Sequence, residues 1–131
     1  MPDGSDWKEK RQYVRVGVSF PVRFSVRSPL DARVEFGEQY AAAVADDLSE
    51  GGIALLCNYP VPEGAVLSIR FSLFNLMLSP APRDFDLSGD VRYRETKERQ
   101  YRVGVRFINV PDDERRRLSE YVKLAQSRSD F

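Results

Sequence analysis

The residues best able to do chemistry lie close together in Asp47-Leu48-Ser49-Glu50-Gly51-Gly52. A carboxylate such as Asp47 accepts two N–H donors at once, as from the Watson–Crick edge of a guanine. The Ser49 hydroxyl can donate to a phosphate oxygen, and successive N–H groups around Gly51 and Gly52 can form a concavity for an anion. Both glycines admit φ > 0 and a close approach of the backbone to a ligand. The same residue types also build an Asx or ST turn whose side chains bond their own backbone. The hexapeptide alone leaves both readings open. Strand-like runs flank it, residues 39–46 and 53–57, so it is expected as a turn between two strands.

A second set of candidates lies upstream: Arg11 and Arg15, spaced R-x-x-x-R, with Lys10 beside the first. The spacing by itself carries nothing, because Arg23/Arg27 and Arg102/Arg106 repeat it in a chain with 16 Arg against 4 Lys. Position separates the pairs. The later two fall inside alternating runs and read as solvent-face residues. Arg11 precedes the first long run and Arg15 opens it, where an N-terminal arm can close over an anion. Arg suits such a role through its planar fork for phosphate and guanine O6/N7, and through its face for stacking.

The elements that must position these groups are legible from periodicity. Val14, Val16, Val18, Phe20, Val22, Phe24 and Val26 alternate with Arg15, Gly17, Ser19, Pro21, Arg23, Ser25 and Arg27, a long half-buried strand. Pro21 marks an edge position or a bulge within it. Residues 67–73, 85–93 and 101–107 repeat the alternation, with turns at 28–38, 59–64 and 95–100. Together with 39–46 and 53–57 this makes six strands. So many half-buried antiparallel strands in one domain imply a closed or nearly closed six-stranded barrel. Pro111 followed by Asp112, Asp113 and Glu114 starts a helix. Its stripe Leu118, Tyr121, Val122 and Ala125 is expected to pack on the barrel, leaving Arg115, Arg116 and Arg117 solvated. Residues 74–83 are too apolar for a solvated loop and too Pro-rich to continue a strand. Leu76, Met77 and Leu78 there either cover the barrel mouth or form a partner or homodimer surface. The domain map is a flexible arm at 1–9, with Trp7 its anchor candidate, the barrel and helix at 10–125, and a disordered tail at 126–131.

Composition removes several function classes. The chain has 131 residues, 42% hydrophobic and 31% charged, which is a single globular domain rather than a disordered chain. Net charge is zero, and no strand face interleaves aromatic with basic residues, so nucleic acid is not the expected partner. The chain has no histidine, which eliminates Ser-His-Asp and Cys-His catalysis and the commonest zinc ligand. Asp47 and Ser49 lack a base, so no catalytic set assembles and the chain reads as a non-enzyme without a cofactor. The lone Cys57 permits no internal disulfide, the first ten residues have no apolar core, and no run approaches membrane-spanning length. A cytoplasmic protein is expected.

Arg11-Gln12-Tyr13-Val14-Arg15 before the first strand and Asp47-Leu48-Ser49-Glu50-Gly51-Gly52 after the second resemble the paired R-x-x-x-R and D-x-S-x-x-G motifs of the PilZ domain. Pro21-Val22 and Gly104-Val105-Arg106-Phe107 also fit, and the resemblance extends over about residues 8–123. It implies a split, PilZ-like barrel and a bacterial receptor for cyclic di-GMP that signals to a protein partner. It gives Arg11 and Arg15 to phosphates and guanine Hoogsteen edges or faces, and Asp47 to guanine N1–H and N2–H₂. Ser49 goes to phosphate or guanine, while Gly51 and Gly52 permit close approach. Lys10 and Tyr93 are candidate extra contacts. The competing reading is a barrel that docks a protein through Leu76, Met77 and Leu78 and needs no nucleotide.

Overall fold

The long alternating run decides which way the sheet faces. Val16, Val22, Phe24 and Val26 are all buried, while Gly17, Arg23 and Arg27 are exposed. The computed structural model describes residues 14–30, 40–75 and 79–129. They form β1 (Val16–Ser28), β2 (Ala41–Leu48), β3 (Gly52–Cys57), β4 (Val66–Asn75), β5 (Ser79–Lys97), β6 (Gln100–Ile108) and α1 (Asp112–Ser129). Every neighbouring pair is antiparallel, and the strands close into a barrel in the order β1-β2-β3-β6-β5-β4. The expected mainly β, six-stranded antiparallel barrel with a C-terminal helix is the fold that forms.

Closure is incomplete along one seam. β1 pairs with β4 only from Arg23↔Arg70 to Ser28↔Val66. Residues 16–22 of β1 therefore pair on one side only, with β2. Pro21 sits in this half-paired stretch, the kind of edge position where proline is tolerated in a sheet. Aromatic rings fill the seam: Phe71 of β4 lies 5.6 Å from Phe20, 5.2 Å from Phe85 and 6.5 Å from Phe107, ring centre to ring centre. The helix enters through Pro111 and the acids of its first turn, which face the positive end of its dipole. Leu118 and Val122 join the core, with Tyr121 and Ala125 packed against it, as the stripe predicts.

Three boundaries differ from the sequence reading. Residues 74–75 and 79–83 do continue strands: β4 runs to Asn75 and β5 starts at Ser79, with those two residues paired. Pro80 and Pro82 are accommodated because β5 pairs with β6 only from Ser88 onward, which leaves the earlier stretch an edge. The turn at 95–100 shrinks to Glu98 and Arg99 between β5 and β6, with Glu98 at φ 58°. β2 runs on to Leu48, which makes Asp47 a strand residue rather than a turn residue. Lys10, Arg11, Trp7 and the Leu76, Met77, Leu78 surface lie outside the described residues.

Because Phe71 holds three other rings together where the ladder lapses, Phe71→Ala should lower stability by about 3–5 kcal/mol. Urea unfolding measured at constant m-value checks this.

Candidate functional site

Asp47 belongs to a strand, and a bulge decides where it points. Ala45 pairs with Leu55 while Asp47 pairs with Ala54, so β2 carries one extra residue, Asp46, opposite β3. Ala43 and Ala45 face inward, but the inward position is then taken up by Leu48, which is fully buried. Asp46 and Asp47 are therefore both half-buried and outside the core. Without the bulge the period-two rule would turn Asp47 into the core.

Two guanidiniums meet this carboxylate pair. Arg15 Nη1 donates to Asp47 Oδ1 at 3.1 Å. Arg102 of β6 reaches across β3 and donates through Nη2 to Asp47 Oδ2 at 2.9 Å and through Nε to Asp46 Oδ2 at 2.9 Å. Its Nη1 donates to the Tyr93 hydroxyl and lies 3.7 Å from Glu95 Oε1. The side chains of Arg102 and Asp47 are 19% and 18% exposed, so these charges are partly withdrawn from water and weakly screened. Burial by itself would lower the Arg102 pKa. The Asp46 hydrogen bond and the charges of Tyr93, Asp47 and Asp46 outweigh it, and the pKa is raised.

The floor is built from small residues. Register lines up Gly17, Asp47, Ala54, Gly104 and Tyr93 across five strands. Ala54 is fully buried although it is no part of the core cluster, as expected if the polar side chains on either side cover it. A Cβ on Gly104 would run into the Tyr93 ring, so the ring rests directly on bare backbone. At the other end, a Cβ on Gly17 would meet nothing within 4 Å. Asp47 thus has a wall on one side, made by Arg102 and Tyr93, and open surface on the other.

The turn is tied to itself. Ser49, 2% exposed, accepts the N–H of Gly52 at 3.0 Å and of Gly51 at 3.2 Å, and its hydroxyl donates to the Gly52 carbonyl at 3.4 Å. Its own N–H reaches that carbonyl at 2.9 Å. This is the ST-turn arrangement. Neither Gly51 nor Gly52 takes positive φ; among the described glycines only Gly64 does. Gly52 is needed for a different close approach, since a Cβ there would strike the Val105 carbonyl of β6.

The structure thus brings together Arg15, Asp47 and, across the wall, Tyr93, and it sets Ser49, Gly51 and Gly52 in the turn that follows Asp47. Arg15 is held against Asp47 rather than riding on a free arm. Sequence reading passed over Asp46, took Gly17 and Arg102 as solvent-face residues, and counted Gly104 toward the family resemblance without giving it a place in the site. Two adjacent aspartates in a strand were the available signal, because one of them must face the core unless a bulge intervenes. Among the described residues no group of His, Cys, Asp and Glu could hold a metal ion, and no helix is long and apolar enough to cross a membrane.

A six-stranded antiparallel barrel thus carries a pair of carboxylates and two arginines on the outside of one wall. The PilZ domain pattern matches residues 9–124, and the chain belongs to the PilZ domain family. It is similar in fold to the Bacillus subtilis inhibitor of motility MotI/DgrA, at 17% identity and TM-score 0.72, covering 91% of this chain and 52% of that one. It is similar to Escherichia coli YcgR in complex with c-di-GMP, at 19% identity and TM-score 0.66, covering 92% and 50%. The PilZ domain of YcgR with c-di-GMP matches at 17% identity and TM-score 0.60, covering 92% and 94%. The chain therefore spans about half the length of the first two. No curated protein sequence matches it.

Gly52→Ala must force β3 and β6 apart and should cost about 1–3 kcal/mol. Gly17→Ala should stay within about 0.5 kcal/mol of the parent. Chemical denaturation of the two variants side by side tests the difference.

Proposed function

We propose that this PilZ domain is a bacterial receptor for cyclic di-GMP whose occupied state is read by a protein partner in the cytoplasm. One observation carries the reading: Arg15 and Asp47, one from each motif and 32 positions apart in sequence, meet at 3.1 Å on the outside of the barrel. Solved PilZ relatives holding c-di-GMP support it. The open surface beside Asp47 over Gly17 gives a planar base somewhere to lie.

The chemistry follows from donors and acceptors. Asp47 has about four lone-pair directions, of which the two guanidiniums use one on each oxygen. Guanine N1–H and N2–H₂ take others from the open side. Arg15, at the mouth, turns its fork to guanine O6/N7 or to a phosphate oxygen, a charge-assisted bond in each case. Ser49 keeps both accepted N–H bonds and re-aims its hydroxyl proton, which at 3.4 Å is weakly engaged. Gly51 and Gly52 hold the turn in shape for it. Lys10 and Arg11 meet the phosphates, so the ligand's two negative charges draw the N-terminal segment to the barrel. That ordering presents or hides a surface and turns binding energy into a population shift. Tyr93 contributes through the wall it forms with Arg102. No step breaks a covalent bond, and the protein acts by binding.

Calorimetric titration with cyclic di-GMP, cyclic di-AMP and GTP should give saturable heat for the first alone. Arg15→Ala and Asp47→Ala should each weaken it by at least ~1–3 kcal/mol, the scale of a bidentate base contact. Parent-like affinity in both variants would remove the site assignment. No heat in the parent would favour the docking reading, for which Phe74, 53% exposed on β4 just before Leu76, Met77 and Leu78, is the neighbouring apolar feature.

A further inference from the structure

Arg102 belongs to neither motif, yet its guanidinium makes three hydrogen bonds at the site, to Asp46, Asp47 and Tyr93. Its three guanidinium nitrogens are assigned separately: Nε to Asp46, Nη2 to Asp47, Nη1 to the Tyr93 hydroxyl. A planar group tied at three corners fixes the plane in which the Asp47 carboxylate accepts its bond. Each of those ties depends on a feature built for it. The β2 bulge supplies Asp46 on the same face as Asp47. A second bulge, between Val91 and Tyr93 of β5, sets Tyr93 opposite Gly104. Gly104 in turn leaves the bare backbone on which the Tyr93 ring lies, beside the Arg102 guanidinium at 5.9 Å from ring centre to Cζ.

We propose that Arg102 is the positioning residue of the guanine site: anchored by Asp46 and Tyr93, it holds Asp47 in the orientation that reads guanine N1–H and N2–H₂ together. The inference rests on the cyclic di-GMP reading above and adds to it a residue outside both motifs. Asp46 matters because it gives Arg102 a carboxylate of its own. When guanine shares Asp47, Arg102 keeps Asp46 and Tyr93 and stays in place. Lysine cannot replace it. An ammonium keeps the charge but has no rigid fork to span two carboxylates and a phenol.

The test separates orientation from charge and from fold. Affinities for cyclic di-GMP and for its inosine analogue, which lacks the guanine 2-amino group, are measured in the parent, Arg102→Lys and Asp46→Asn, with Tm recorded for each. The parent should prefer cyclic di-GMP over the analogue by tenfold or more, since Asp47 receives both donors. In Arg102→Lys, cyclic di-GMP affinity should fall at least tenfold while the preference narrows to about threefold or less, because a misaligned Asp47 no longer gains from the second donor. Asp46→Asn should narrow the preference in the same direction, so the assignment does not hang on the stability of one variant. An unchanged preference in both variants, with or without a uniform loss of affinity, would overturn the inference. Parent-like binding by Arg102→Lys would overturn it too, leaving Arg102 as a point charge. A parent that takes up no cyclic di-GMP would overturn the receptor reading itself and this inference with it.

Discussion

One extra residue in β2 is the constraint on which the site depends. In a regular strand Ala43, Ala45 and Asp47 would share the inner face, and an ionised carboxylate would be driven into a core of Phe24, Leu55 and Val105, at a cost of several kcal/mol or more. Inserting Asp46 moves Asp47 outside and returns Leu48 to the core. It also creates a new difficulty, since two carboxylates now sit side by side and half-buried. Like charges that close destabilise each other unless a cation joins them. Arg102 is that cation, with a separate nitrogen for each carboxylate. The bulge, the acid pair and the arginine therefore form one unit, and each makes sense only with the others.

The same unit explains the small residues. A guanidinium reaching from β6 over β3 to β2 needs a low floor, and Ala54 provides it. A tyrosine set beside that guanidinium needs room for its ring, and Gly104 provides that. Small side chains in mid-strand weaken a sheet. The loss is offset at the opposite seam, where β1 and β4 lose their ladder and four phenylalanine rings close the gap. Hydrophobic packing thus concentrates where hydrogen bonding lapses, while the site wall stays paired on either side of its bulges and gives up bulk. A PilZ barrel can in this way carry a polar cluster on its outer face without exposing its core.

Much of this was legible in the sequence because period two is a direct consequence of burying one face. The alternation from Val16 to Val26 placed β1, and the stripe Leu118, Tyr121, Val122, Ala125 placed the helix. What failed was anything that depends on a neighbouring strand. Prolines 80 and 82 argue against a strand only if both sides of it are paired, and β5 is one-sided there. Asp47 read as a turn residue because Ser49 and the glycines follow it. Only the inward demand of Leu48 extends the strand. Arg102 looked like a solvent-face residue because the two aspartates it donates to lie 55 and 56 positions away. Local spacing holds no trace of such a contact, whereas Asp46-Asp47 within a strand was a local conflict that called for a bulge and a cation.

On the proposed cyclic di-GMP reading, recognition by this site is a difference between two satisfied states, not the filling of a vacancy. Before ligand arrives, Asp47 already accepts from Arg15 and Arg102, so a guanine gains only what its N–H groups add beyond the bond that Arg15 relinquishes. Exchange is therefore favourable only if the displaced cation finds an anion nearby, and a cyclic dinucleotide brings two phosphates along with its bases. A neutral nucleobase offers Asp47 the same edge but brings Arg15 no anion in exchange. A phosphate without a guanine offers Arg15 an anion but does nothing for Asp47. On that reading, the coupling of Asp47 to Arg15 favours a ligand that presents a guanine edge and a phosphate at once. The proposed role of Arg102, bonded to Asp46 as well as Asp47, is to keep that exchange from disturbing the wall behind it.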